Sequence, residues 1–127
     1  MNLLVDTHAL IWFVAGDKRL GRAARAAMED DAARLYISAA SVWEMAIKSA
    51  LKRLDLPHPV HRYIADRLDE GYAIVRVDWP HAAAVEHLPP HHDDPFDRLI
   101  VAQAKAERMT VVSRDRILHK YGVDVIW

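Results

Sequence analysis

The chain has no cysteine, which excludes disulfide cross-links, thiolate metal sites and cysteine nucleophiles together and fits a reducing compartment. Glycine and proline are sparse, 4 and 6 in 127 residues, too few for a collagen-like or low-complexity chain. Neither sign of charge predominates: 17 Lys and Arg against 18 Asp and Glu give a formal net charge of -1, so no bulk basic character advertises nucleic acid. A local basic patch, or metal ions held by carboxylates, would still allow a polyanion to bind. A long hydrophobic run is missing too. The most apolar stretch, MNLLVDTHALIWFVAG, is interrupted by Asp6 and His8 and has no basic region before it, so neither a signal peptide nor a membrane span is expected. These absences predict a cytoplasmic protein with no membrane partner.

What is present is a globular composition, 52% hydrophobic and 28% charged, on a chain of the length of one domain, residues 1–127. Apolar periodicity predicts strands at Asn2–Val5, Arg34–Ser38, Ala73–Val77, Thr110–Ser113 and Val123–Trp127, each short and rich in β-formers. Helices are predicted at Thr7–Ala15, Leu20–Asp31, Ala39–Leu54, Val60–Asp69, Pro80–His87, Phe96–Arg108 and roughly Arg114–Lys120. Ser38 or Ser41 is suited to cap the third of these, and Asp94 followed by Pro95 to start the sixth. Alternating strands and helices predict an α/β layer fold with a mainly parallel sheet, because parallel neighbours require helical crossovers. In such a sheet the ligand crevice lies beyond the carboxyl ends of the strands.

Four acids fall near those ends. Asp6 closes the first strand, Glu44 lies in the helix after the second, Asp97 opens the helix before the fourth, and Asp115 follows the fourth. Clustered carboxylates repel, so a cluster implies a divalent cation or a strongly raised pKa. An all-oxygen donor set suits Mg²⁺, or Mn²⁺, and such sites, with one ion or two, orient water for in-line attack on a phosphodiester. Taken singly, each acid has a plainer reading: a helix cap for Asp6, Asp94 or Asp97, and a surface i,i+4 pair for Glu44 with Lys48. Asp78 also follows a strand, which shows how permissive the pattern is. The run His91-His92-Asp93-Asp94 invites a transition-metal reading, set aside because the remaining ligands would have to come from unmatched positions. Trp12, Trp43, Trp79 and Trp127 are read as core rather than as base-stacking residues.

The stretches MNLLVDTHAL from Met1, SAASVWEMAIK from Ser38, HHDDPFDRLIVAQA from His91, and SRD at Ser113–Asp115 followed by YGVDVIW together resemble a PIN-domain protein of the VapC toxin type. The likeness runs nearly end to end. It implies a PIN-like three-layer fold with a central, mainly parallel five-stranded sheet flanked by helices. It also implies a Mg²⁺-dependent endoribonuclease, the toxin of a type II toxin–antitoxin pair, homodimeric and silenced by a VapB-like antitoxin. The family's four acids fall on Asp6, Glu44, Asp97 and Asp115; Asp78 matches none, and Asp94 is read as a cap. Asp6 and Asp97 are then expected as direct Mg²⁺ ligands, and Glu44 and Asp115 as metal-site acids that hold metal-bound waters or a second ion, with water as the nucleophile. Lys48 and Arg98 are expected to contact the RNA backbone, and Thr7 and Ser38 to hydrogen-bond to the acids or to water beside them.

Other classes fit less well. A phosphotransferase of the haloacid dehalogenase kind would want an aspartate two residues after Asp6, where His8 stands. A receiver module would want an acidic pair at the end of the first strand, where VDTH offers one acid. A non-catalytic RNA- or partner-binding module on the same fold is the remaining alternative, opposed by the complete set of four acids.

Overall fold

A computed structural model describes all of residues 1–127. Its strands are β1 (Asn2–Val5), β2 (Arg34–Ser38), β3 (Ala73–Val75), β4 (Thr110–Val112) and β5 (Val125–Ile126), in one sheet of order β3-β2-β1-β4-β5. Every pairing is parallel. β1 is central and fully buried at Leu3, Leu4 and Val5, which explains why a four-residue strand is an unbroken apolar run at its carboxyl end.

Side chains alternate across the sheet and so divide between two cores. Leu3, Val5, Ile37 and Val112 pack with α1 (Thr7–Ala15), α2 (Arg22–Glu29), α3 (Ala39–Ala50) and α4 (Val60–Asp69) through Leu10, Met28, Met45 and Tyr63. Leu4, Val75 and Val111 face the other way, onto Ile100, Val101 and Ala104 of α6 (Pro95–Glu107) and onto Leu118 and Tyr121 of a 3₁₀ helix, Arg116–Tyr121. α5 (Trp79–Ala84) packs on α6. Helices therefore cover both faces of the sheet, giving the three layers expected. No helix is long and apolar enough to cross a membrane.

Several boundaries differ from the sequence reading, each for a local reason. β3 stops at Val75, short of the expected Val77, because the Arg76 carbonyl accepts from the Gln103 side chain at 3.1 Å instead of continuing the strand. α3 stops at Ala50 rather than Leu54, since Lys52 turns left-handed at φ 56°. The helix expected at Pro80–His87 is α5 followed by a 3₁₀ turn, Val85–His87. β5 covers only Val125–Ile126; Val123 is buried, but in the second core. Asp78, the acid left unassigned, begins α5 in a reciprocal cap with His81.

Candidate active site

The carboxyl ends of the adjacent strands β1 and β4 open into a cleft of about 370 Å³, whose walls include Asp6, Thr7, Glu44, Lys48, Asp94, Asp97, Ser113 and Asp115. The four acids singled out in the sequence thus reach one cleft from four segments. Asp6 sits in the turn from β1 into α1, where its backbone N–H donates to the Val112 carbonyl at 3.0 Å. Its carboxylate caps α1 by accepting from the Ala9 N–H at 2.9 Å. The Ser113 hydroxyl nearby also favours its ionised form. Burial nevertheless holds the Asp6 carboxyl above its ordinary value, against both influences.

Glu44 projects from α3 with both oxygens occupied. Oε1 accepts from the Thr7 hydroxyl at 2.6 Å and Oε2 pairs with Lys48 Nζ at 3.0 Å, one helical turn on. Thr7 is buried and touches Glu44, as expected of a residue that orients an acid. Lys48 lines the cleft while it pairs with Glu44, so the ion pair expected of it is present at the cleft wall.

Asp97 is the third residue of α6. Asp94 caps that helix, accepting from the Phe96 and Asp97 N–H groups at 2.8 and 3.4 Å, and Pro95 follows at the first helical position. The cap sets one carboxylate beside another. Burial, and then the Asp94 charge, with Asp6 and Glu44 adding to it, push Asp97 up to about 7. Asp115 caps the 3₁₀ helix, Oδ1 accepting from the Ile117 N–H at 3.0 Å, while its own N–H donates to Ser113 Oγ at 3.1 Å. Ser113 therefore bonds the Asp115 backbone in the cleft that Asp6 also lines.

Two expected residues lie elsewhere. Ser38 is fully buried, caps α3 and donates to Gln103 Oε1 at 2.6 Å, so its hydroxyl is spent inside the protein; Ser41, one turn further, reaches the cleft instead. Arg98 points away from the cleft and donates to the carbonyls of Val85, Leu88 and Pro89 and to the Tyr121 hydroxyl, so it braces a loop and is not free for RNA. The reading of the tryptophans also needs correction. Trp12 is buried and meets Trp127 edge-on, but Trp43 and Trp79 are 63% and 81% exposed. Periodicity could not separate them, because an aromatic on a helix face reads alike whether or not another layer covers it.

Residues not singled out as site residues line the cleft as well: His8, Trp12, Ser113 and the exposed Arg114. Arg114 lies between Ser113 and Asp115, and its guanidinium stands 5.8 Å from the Trp12 ring. The available signal was position, immediately after the carboxyl end of a central strand.

A family model for the PIN domain matches residues 3–124. The chain belongs to the PIN domain family. It is 33% identical over 121 residues to "Ribonuclease VapC22" of Mycobacterium tuberculosis, covering 94% of this chain and 92% of that one. In fold it is similar to VapBC2 from Rickettsia felis, solved bound to a DNA fragment from its promoter (TM-score 0.71, 13% identity, 98% and 97% of the two chains). It is likewise similar to a toxin–antitoxin complex from Klebsiella pneumoniae (TM-score 0.60, 20% identity, 89% and 86%).

The acidic cluster of this PIN domain suits a divalent cation by its chemistry. The acids are oxygen donors that suit a hard ion, and the raised values of Asp6 and Asp97 record first the burial of these carboxyls and then, chiefly at Asp97, the charge of the neighbouring acids.

Proposed function

We propose that this protein is a divalent-metal-dependent endoribonuclease acting as a single PIN domain over residues 1–127. We further propose that it is the toxin of a VapBC-type pair, working in the cytoplasm as a homodimer held silent by a VapB-like antitoxin. The observation that carries the nuclease reading is the convergence of Asp6, Glu44, Asp97 and Asp115 on one cleft. The toxin reading is supported by the ribonuclease relative and by the complexes that share the fold.

In this reading Asp6 and Asp97 hold Mg²⁺, with Mn²⁺ as a substitute, and Glu44 and Asp115 flank them. Once bound, the cation supplies charge stabilisation at the phosphodiester and lowers the pKa of water, so that water is the nucleophile. Thr7 fixes the Glu44 carboxylate, and Ser113 Oγ accepts from the Asp115 backbone N–H. Lys48 and Arg114 are the cations of the cleft wall available to RNA phosphates.

The test is cleavage of total RNA by antitoxin-free protein in Mg²⁺, against EDTA and against Asp97→Asn, with the ends mapped by sequencing. Discrete Mg²⁺-dependent cuts are expected. Asp97→Asn should lower the rate by more than about 100-fold, since even groups one step removed from a metal cost roughly 10–100-fold. A folded, metal-loaded protein that cuts no tRNA, rRNA or mRNA would overturn the nuclease reading in favour of a non-catalytic binding module.

A further inference from the structure

Beside the acids, and outside the cleft walls, lies His92. Its Nε2 stands 2.5 Å from Asp115 Oδ2 and 3.2 Å from Asp97 Oδ2, and one ligand-type atom from each of the three residues falls within 4.8 Å of the others. Such a trio invites two opposite roles, ligand or hydrogen-bond donor. The other ring nitrogen decides between them. Nδ1 accepts from the Asp94 backbone N–H at 3.0 Å, and a peptide N–H can only donate. Nδ1 therefore carries the lone pair and Nε2 carries the hydrogen. A ring in that tautomer has no electron pair to offer an ion from Nε2 and presents an N–H to the two carboxylates.

The loop that carries His92 is built to hold the ring there. The His92 N–H donates to the Tyr121 hydroxyl at 2.7 Å, and Arg98 gathers the carbonyls of Leu88 and Pro89, four and three residues earlier, while donating to the same hydroxyl. Tyr121 itself is buried in the second core. On the far side Asp94, two residues on, caps α6. His92 is thus fixed from both ends of its loop, with its side chain only 16% exposed. Asp115 in turn is held at both oxygens, Oδ1 by the Ile117 N–H and Oδ2 by His92.

We infer that His92 is a positioning residue of the metal site: its Nε2–H is donated to Asp115 and stands beside Asp97, and so sets the readiness of this acidic group to take up a divalent cation without ligating it. The inference rests on the metal-dependent reading above, and it gives work to the HHDD run that the transition-metal reading left without partners.

The experiment is Mn²⁺ titration of the full-length protein by calorimetry, for wild type, His92→Ala and His92→Gln, with circular dichroism to confirm folding. His92→Ala should weaken Mn²⁺ binding by about tenfold, the lower end of what loss of a group supporting a metal ligand costs. His92→Gln keeps an N–H donor at the Nε2 position and should bind closer to wild type than the alanine variant does. Unchanged or tighter binding by His92→Ala, or a glutamine variant no better than alanine, would overturn the role. Should the alanine variant fail to fold, nitrogen-15 spectra of the wild-type imidazole decide: His92 is expected to keep its hydrogen on Nε2 with and without Mg²⁺, and its loss on adding the ion would make His92 a ligand. A wild-type protein that binds no Mn²⁺ would fail the metal-dependent reading itself, whereas normal wild-type binding with an unaffected alanine variant would fail only the role of His92.

Discussion

At Asp97 the requirements of the cluster and of the fold conflict, and the conflict is measurable. Its carboxyl is held at about 7, first by burial and then by the Asp94 charge beside it, against an ordinary value of 3.8. The folded state therefore binds this proton more tightly than the unfolded state does. The resulting stabilisation is fully present below about pH 4 and is lost as pH rises through about 7. Without divalent ions, Asp97→Asn, which mimics the neutral form, should be more stable than wild type at pH 8. A gain on the order of 1–2 kcal/mol is expected, once screening at a partly exposed group is allowed for. At pH 4 the difference should vanish. Urea titrations in EDTA at the two pH values check this, and equal stability at pH 8 would remove the electrostatic account. Asp6, Asp97 and Asp115 were legible in the sequence because each follows or opens an element at the cleft edge, and Glu44 because it lies in the helix that follows β2. Ser38 and Arg98 misled because a hydroxyl or guanidinium near the motif reads alike whether it faces the cleft or is spent on Gln103 and a loop's carbonyls.

Among the elements, α6 joins the best-specified helix start to a strained end. Asp94 and Pro95 open it as the sequence indicated, but it ends at Arg108 in the left-handed conformation, φ 55°, with the Arg108 N–H bonded to the Ala104 carbonyl. A β-carbon is disfavoured there, and glycine is the usual residue. Arg108→Gly should raise stability by about 1 kcal/mol, read as a higher urea midpoint at unchanged slope; a lower midpoint would show that the exposed arginine makes a compensating interaction. The reverse holds at Gly21, the cap of α2, where a β-carbon would run into the Trp127 carbonyl carbon and lie 2.8 Å from its indole. Gly21→Ala should therefore displace the chain's last residue from α2, at a cost of roughly 1–3 kcal/mol. A thermal melt and tryptophan fluorescence would register the change. Neither feature was visible in the sequence. A left-handed turn at a charged residue carries no compositional signal, and the approach of residue 127 to residue 21 is tertiary. Boundaries fixed by local chemistry were legible: β1, β2, α1 and α4 lie where the apolar runs and the breaker residues put them.

Across the whole molecule, the cleft lies where the two cores meet. Asp6 follows β1, whose side chains serve both; Glu44 rises from α3 over the first core; Asp97 and Asp115 belong to segments packed on the second. A cation held by Asp6 and Asp97 would therefore tie the two helical layers together at one edge of the sheet, and the unfolded chain, lacking that convergence, would bind it far less. Binding to the folded state alone stabilises by RT ln(1 + [L]/Kd), about 2.7 kcal/mol at a hundredfold excess over Kd. For a chain of this length that amounts to a rise of about 10 °C in Tm. Thermal melts at pH 7.5 across a Mg²⁺ or Mn²⁺ series should show a concentration-dependent rise that EDTA reverses. Asp6→Asn should nearly abolish the rise, while Arg108→Gly, remote from the cleft, should shift every curve equally and leave the cation increment unchanged. If the Asp6→Asn protein kept the full increment, the ion would be binding elsewhere, and the convergence of the four acids would not be what holds it.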